Sequence, residues 1–281
     1  MGGAIAANLV KAGYTVRGFD PIGAAYETAQ KANIETFESP AEASQNAEVI
    51  CSSVPKGEHV REVYLGEKGA LVSALLGVAC FDFSTISPEE SYAIAKEAHN
   101  RGFDFLDAPI SSNAWIAREA KIGFMAGGNM EVLEKHRDIL ESVSELIDYF
   151  GPNGTGLKMK LITNQLVACQ LSALAEGFTL GLKARLNPNH MMDHLYSSTV
   201  FRVMHTRGRG LANKEYEPPK FSLAFMYKDL GLIRKFAEAE GVTLPLTNSI
   251  YDIYKETIEM GNGEKDQAVI REWFEHVADL R

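Results

Sequence analysis

Hydrophobic and polar positions follow two regimes along this chain. Up to about residue 150, short β-branched or aromatic runs alternate with helical patterns. Segments 15–20, 48–54, 78–83, 103–108, 122–126 and 146–150 read as strands, with helices at 5–12, 24–32, 60–64 and 88–100 between them. Strands alternating with helices predict βαβ units and a mainly parallel sheet. Gly151 to Gly156 breaks this rhythm. From 157 to 184 the chain is apolar on nearly every face, which predicts a buried helix about 40 Å long joining two domains. After it, 190–197, 223–240 and 246–260 keep a 3.6-residue period, whereas 215–220, with Pro218-Pro219, is a loop. The expected organisation is an α/β domain over 1–153 and an all-helical domain over 154–281.

Composition narrows the classes. With 281 residues, 46% hydrophobic and 23% charged, the chain can bury a sizeable core. A formal net charge of −9 with scattered basic residues opposes a nucleic-acid partner. Cys51, Cys80 and Cys169 lie far apart, each in an apolar stretch where a buried thiol behaves as a small hydrophobe, which fits a reducing, cytoplasmic setting. No uncharged apolar run reaches the roughly 18 residues of a membrane helix, so no membrane partner is expected.

Candidate chemistry concentrates where strands end. Lys160 and Asn164 open the long helix one turn apart on a shared face, so an ammonium and a carboxamide point the same way. An ammonium in a cleft can protonate a carbonyl oxygen or take the proton of a hydroxyl, and the amide can orient a substrate without titrating. Gly2 and Asp20 have the spacing of the last glycine and the ribose-binding acid of a dinucleotide fingerprint, although Asp20-Pro21 also reads as a simple turn. Ser84 and Thr85 follow a strand and precede Ser87-Pro88, a helix start; Ser111-Ser112-Asn113 follow the next strand and form a plausible anion cradle. Lys228-Asp229 falls in a helical run, where such a pair is usually a solvated face. His190 and His194 have i,i+4 spacing without a partner motif and are read as structural or solvent-facing, with no metal expected. Arg207-Gly208-Arg209-Gly210 reads as a solvated loop.

Taken in order, these pieces resemble the β-hydroxyacid dehydrogenase family, to which 3-hydroxyisobutyrate dehydrogenase and the tartronate, glyoxylate and succinic semialdehyde reductases belong. Met1-Gly2 matches the end of its Gly-x-Gly-x-Met-Gly, Val54-Pro55 its Leu-Pro, and Asp82-Phe83-Ser84-Thr85 its Asp-x-Ser-Thr. Asp107-Ala108-Pro109-Ile110-Ser111-Ser112-Asn113 stands for Asp-Ala-Pro-Val-Ser-Gly-Gly, Gly154-Thr155-Gly156 through Lys160, Thr163 and Asn164 for Gly-x-Gly-x-x-x-Lys-x-x-Asn-Asn, and Phe221, Lys228, Asp229 and Leu230 for the last motif.

The resemblance implies a Rossmann-type domain whose first strand is missing from the chain as given, followed through a long helix by an all-α domain. It implies Lys160 as proton donor and acceptor, and substrate contacts from Ser111, Ser112, Asn113, Asn164 and Phe221. Cofactor contacts would come from Gly2, Asp20, Val54, Pro55, Thr85 and Lys228. The expected cofactor is NAD rather than NADP, because Asp20 repels a 2′-phosphate and Pro21 replaces a common arginine; Arg17 is the residue able to reverse this. The expected partners are a small acidic hydroxy acid or semialdehyde and a second copy, as homodimer or homotetramer. Ser112 and Asn113, in place of two glycines, predict a substrate richer in acceptor oxygens. The alternative is an inactive homologue retained as a binding or scaffold module, motivated by the missing strand and the altered substrate loop.

Overall fold

The computed structural model describes residues 1–111, 117–197 and 203–280 and divides into two compact units, Met1–Lys160 and Leu161–Arg281. In the first unit the expected alternation is present: α1 (Gly2–Lys11), β1 (Arg17–Gly18), α2 (Ala24–Lys31), β2 (Glu35–Thr36), α3 (Pro40–Ser44), β3 (Val49–Ser52), α4 (Gly57–Leu65), β4 (Ala79–Asp82), α5 (Pro88–Asn100), β5 (Asp104–Asp107), β6 (Ile122–Gly127), α6 (Met130–Lys135), α7 (Arg137–Glu141) and β7 (Ser144–Gly151). Strands β3-β4-β5-β6-β7 form one sheet in that order, parallel except where β6 meets β5. β1 and β2 form a separate parallel pair, so among the described residues no strand joins β1 to β3.

Period-two alternation explains why the sheet strands read as continuous apolar runs, since both faces are covered. Phe81, Phe83, Leu106 and Phe124 pack on one face with Ile5, Leu133 and Leu140, while Ile50, Cys80 and Phe105 pack on the other with Val60, Tyr64 and Ile94. Helix α5 begins at Pro88 because Ser87 and Glu90 form a reciprocal capping box. Cys80 is buried and Cys169 half-buried, but Cys51 is exposed on β3, contrary to its apolar setting in sequence.

Helix α8 (Thr155–Lys183) crosses from one unit to the next. In the second unit its Leu161, Ala168, Leu171, Leu174 and Phe178 pack with α11 (Leu223–Ala239) and α12 (Pro245–Thr257) through Leu230, Ile233, Ile250 and Tyr254. It is not buried all round: Ile162, Leu166 and Leu180 are exposed, one stripe that this single chain leaves uncovered. Helices α9 (Pro188–Ser197), α10 (Val203–Asn213) and α13 (Ile270–Val277) are further α-helices of this unit. The Arg207 to Gly210 segment lies within α10, not in a loop; Gly210 there receives the returning chain, whose Glu215 N–H donates to its carbonyl at 3.0 Å. Buried Arg271 holds the end of α10 through the Leu211 and Ala212 carbonyls at 2.7 and 2.6 Å and is neutralised by Glu275.

Candidate active site

Parallel strands β3, β4 and β5 end at one edge in buried polar residues, Ser52, Asp82 and Asp107. One oxygen of Asp82 accepts the hydroxyls of Ser52 and Ser84, both at 2.6 Å, and the Ser84 N–H at 3.2 Å; Ser84 Oγ in turn accepts the Val54 N–H at 2.9 Å. This network ties the Val54-Pro55 turn to the Ser84-Thr85 turn. Burial pushes the Asp82 carboxyl up to about 6, against the pull of those hydrogen bonds. Val54 and Thr85 are half-buried and Pro55 is exposed, so the turns stand at the sheet's carboxyl edge, the position of ligand sites in open α/β sheets.

Asp107 reaches the other way. Its carboxylate accepts the N–H groups of Gly154 at 2.6 Å and Leu157 at 3.0 Å, capping the start of α8. Desolvation raises its carboxyl to about 6, with those two bonds opposing and Asp82 adding to the rise. The backbone approach is close: a Cβ on Gly156 would fall 2.1 Å from the Met125 carbonyl oxygen, and Gly154 has φ +90°. Beyond Asp107 the chain is pinned on both sides, with Ala108 N–H to Asp82 O at 2.8 Å, Met125 N–H to Pro109 O at 3.0 Å and Ser111 N–H to Gly123 O at 2.8 Å. Ser111 is exposed at the end of this ledge; Ser112 and Asn113 lie outside the described residues. Lys160, half-buried, sits three residues past Leu157 on α8.

In the second unit, Asn164 and Asp229 are both buried and joined by a 2.6 Å hydrogen bond from the Asn164 amide; the second Asp229 oxygen pairs with Lys228 Nζ at 2.9 Å. The Lys228-Asp229 pair is therefore not a solvated face: Asp229 is 1% exposed, and it acts as a local anchor. Phe221 is half-buried before α11, its N–H on Asp266 at 3.2 Å and its ring 6.0 Å from that of Phe225. Sequence reasoning overlooked the buried carboxylates Asp82, Asp107 and Asp229 as anchors; an ionisable residue inside an apolar run was the available signal.

At the N-terminus, Gly2 opens α1 so close to Ser53 that a Cβ would lie 3.3 Å from Ser53 Cβ. The first turn of α1 carries neither a side-chain cap nor an acidic residue, which suits a pyrophosphate at the helix start. Asp20 accepts the Ile22 N–H at 2.9 Å, so it does shape a turn, as its Asp-Pro pair suggested. Arg17 is committed elsewhere: its guanidinium bonds the Gln45 and Glu42 carbonyls and covers the Phe37 ring at 4.1 Å. His190 and His194 are exposed, and no group of His, Cys, Asp or Glu among the described residues is arranged to hold a metal. No helix among them is long and apolar enough to cross a membrane.

Residues 1–151 match the model of the NAD-binding domain of 6-phosphogluconate dehydrogenase, and residues 154–273 that of the NAD-binding domain of NADP-dependent 3-hydroxyisobutyrate dehydrogenase. The chain belongs to the β-hydroxyacid dehydrogenase family. It is 30% identical to the NAD-dependent L-serine dehydrogenase of Pseudomonas aeruginosa over 98% of this chain and 95% of that protein. It is 35% identical to a probable 3-hydroxyisobutyrate dehydrogenase of Mycobacterium tuberculosis over 90% and 88% of the two chains. The solved structure of Mycobacterium tuberculosis 3-hydroxyisobutyrate dehydrogenase with L-serine superposes with a TM-score of 0.87 at 33% identity, covering 97% of this chain and 94% of that one. The family match confirms the expected Rossmann-type domain with an all-α domain, and the chain carries NAD(P)-binding domains.

Proposed function

We propose that this chain is a dehydrogenase of small acidic β-hydroxy acids, or a reductase of the matching semialdehydes, with Lys160 as general acid and base. The observation that carries this reading is the pair at the start of α8. Lys160 and Asn164 lie one helical turn apart, and buried Asp229 fixes the Asn164 carboxamide. Gly2, Asp20, the two Asp82-linked turns and Lys228 are the residues that would hold the dinucleotide. When bound, its nicotinamide gives or takes the hydride. Lys160 delivers a proton to the carbonyl oxygen in reduction and removes the hydroxyl proton in oxidation, while Asn164 and Ser111 orient the substrate.

NAD is the cofactor this reading favours, because Asp20 places a carboxylate after β1 and Arg17 is held by α3 and Phe37. The likeness to an L-serine dehydrogenase and to a structure holding L-serine supports a three-carbon acid with a β-hydroxyl as substrate. Exposed Ile162, Leu166 and Leu180 on α8 support a homodimer or homotetramer, and three unpaired cysteines support a reducing cytoplasm. The deciding experiment is turnover of L-serine, 3-hydroxyisobutyrate and 2-hydroxy-3-oxopropionate with NAD and NADP, in both directions. Activity with any of them, abolished by Lys160→Ala, is the expected result. A folded chain inert with all of them would favour an inactive binding module instead.

A further inference from the structure

We propose that Asp107 is a positioning residue for the general acid and base: by locking the first turn of α8 to the end of β5, it sets where Lys160 stands relative to the ledge carrying Ser111. The inference rests on the reading of Lys160 given above. Helix α8 holds no acidic residue in its own first turn, and the carboxylate at its N-terminus comes instead from a strand 47 and 50 residues away in sequence. Such a cap satisfies two helix N–H groups and favours the positive end of the helix dipole.

Geometry makes the link stiff. A Cβ on Gly127 would fall 2.9 Å from Asp107 Oδ1 and 2.9 Å from the Gly156 nitrogen, and one on Gly156 would fall 3.0 Å from Asp107 Oδ2. Strand β6, the Asp107 carboxylate and the helix start are therefore packed closely together, with the Thr155 hydroxyl beside them, also 2.9 Å from that Gly127 Cβ position. Hydrogen bonds to β4 and β6 fix the chain from Ala108 to Ser111 on either side. One residue thus joins the substrate ledge to the lysine-bearing helix. A shift of about 1 Å in a reacting group can cost roughly 100-fold in rate, so a loosened helix start should be read out in kcat.

The test is Asp107→Asn in the full chain, with kcat per folded molecule, KM for the hydroxy acid, NAD affinity and melting temperature measured together. The amide keeps the shape but offers one acceptor oxygen where the carboxylate offers two, so one N–H of α8 loses its partner. The expected result is a kcat lowered about 10- to 100-fold, with KM and NAD affinity within about 3-fold of wild type. Leu140→Ala, a buried substitution in α7, should lower the melting temperature without lowering kcat per folded molecule. Wild-type kcat in Asp107→Asn would overturn the inference, as would an equal kcat loss in Leu140→Ala. If Asp107→Asn does not fold, Asp107→Ser takes its place, and failure of both to fold would reduce Asp107 to a purely structural role, which also overturns it. Lys160→Ala in the same assay separates the two readings: if it retains turnover, the proposed function fails, whereas its loss beside a normal Asp107→Asn leaves that function standing and removes this inference.

Discussion

Asn164 donates its carboxamide N–H to Asp229 over 2.6 Å, and both side chains are buried. The other Asp229 oxygen holds Lys228 at 2.9 Å, so one carboxylate organises an amide from α8 and an ammonium from α11. Removing it takes the acceptor from the buried Asn164 amide, where an unpaired polar group is costly, and removes the carboxylate beside Lys228. Asp229→Ala should therefore lower kcat/KM about 10- to 100-fold, or about 1.4 to 2.8 kcal/mol of transition-state stabilisation. Steady-state kinetics alongside a melting curve checks this, and an unchanged kcat/KM in a folded variant would refute the anchoring role.

Lys160→Ala tests the proton transfer itself. General acid-base groups contribute about 10²- to 10⁴-fold, so kcat should fall by that much while dinucleotide affinity stays near wild type. Binding measured by calorimetry and turnover measured in parallel distinguish lost chemistry from lost binding. A variant with most of the wild-type kcat would end the case for Lys160.

Cofactor choice follows from where Arg17 is spent. Its guanidinium bonds the Glu42 carbonyl at 2.9 Å and stacks on Phe37, so it is engaged rather than waiting for a 2′-phosphate. Asp20 should accept ribose hydroxyls and repel that phosphate, giving NAD at least ~10-fold higher kcat/KM than NADP. Equal values for the two dinucleotides would contradict it.

Much of this architecture is legible because its signals are local. Strands such as β4 and β5 are buried on both faces and read as apolar runs, and α5 starts where Ser87, Pro88 and Glu90 write a capping box. What stays hidden depends on distant partners or on very short elements. β2 is two residues long, and the burial of Asp229 follows from an amide 65 residues earlier, which no helical periodicity reports. Asp107 reads only as the polar end of the strand at 103–108 until its partners at the start of α8 are known. The Arg207 to Gly210 run contains two glycines and so reads as a loop, yet it lies inside α10, whose end is closed by the Glu215 N–H on the Gly210 carbonyl.

Substrate preference is testable at Ser112 and Asn113, which carry a hydroxyl and an amide where the family motif has glycines. Such groups favour an acid with more acceptor oxygens, or an amino acid such as L-serine, over a methyl-bearing one. A polar group left unpaired costs about 1 to 3 kcal/mol, roughly 5- to 150-fold in discrimination. Replacing both by glycine should shift the kcat/KM ratio toward 3-hydroxyisobutyrate by that order. A wild type that already prefers 3-hydroxyisobutyrate would sink this prediction and leave the dehydrogenase reading intact.

Stability should depend on pH through Asp82, whose carboxyl is raised from 3.8 to about 6, chiefly by desolvation. Below about pH 4 the folded and unfolded chains both hold its proton. Between about 4 and 6 the folded chain keeps a proton that the unfolded chain releases, so stability falls as pH rises, and above about 6 the loss is complete. Two pKa units correspond to about 3 kcal/mol. Asp82→Asn cannot ionise and escapes this loss; it also relieves Asp107, whose carboxyl the Asp82 charge helps to raise. The stability of wild type relative to Asp82→Asn should therefore drop by about 2 to 3 kcal/mol between pH 4 and pH 7.5, as read from urea unfolding at each pH. A difference that stays constant across that range would show that Asp82 titrates as an ordinary carboxyl, and that its buried network does not strain the folded state.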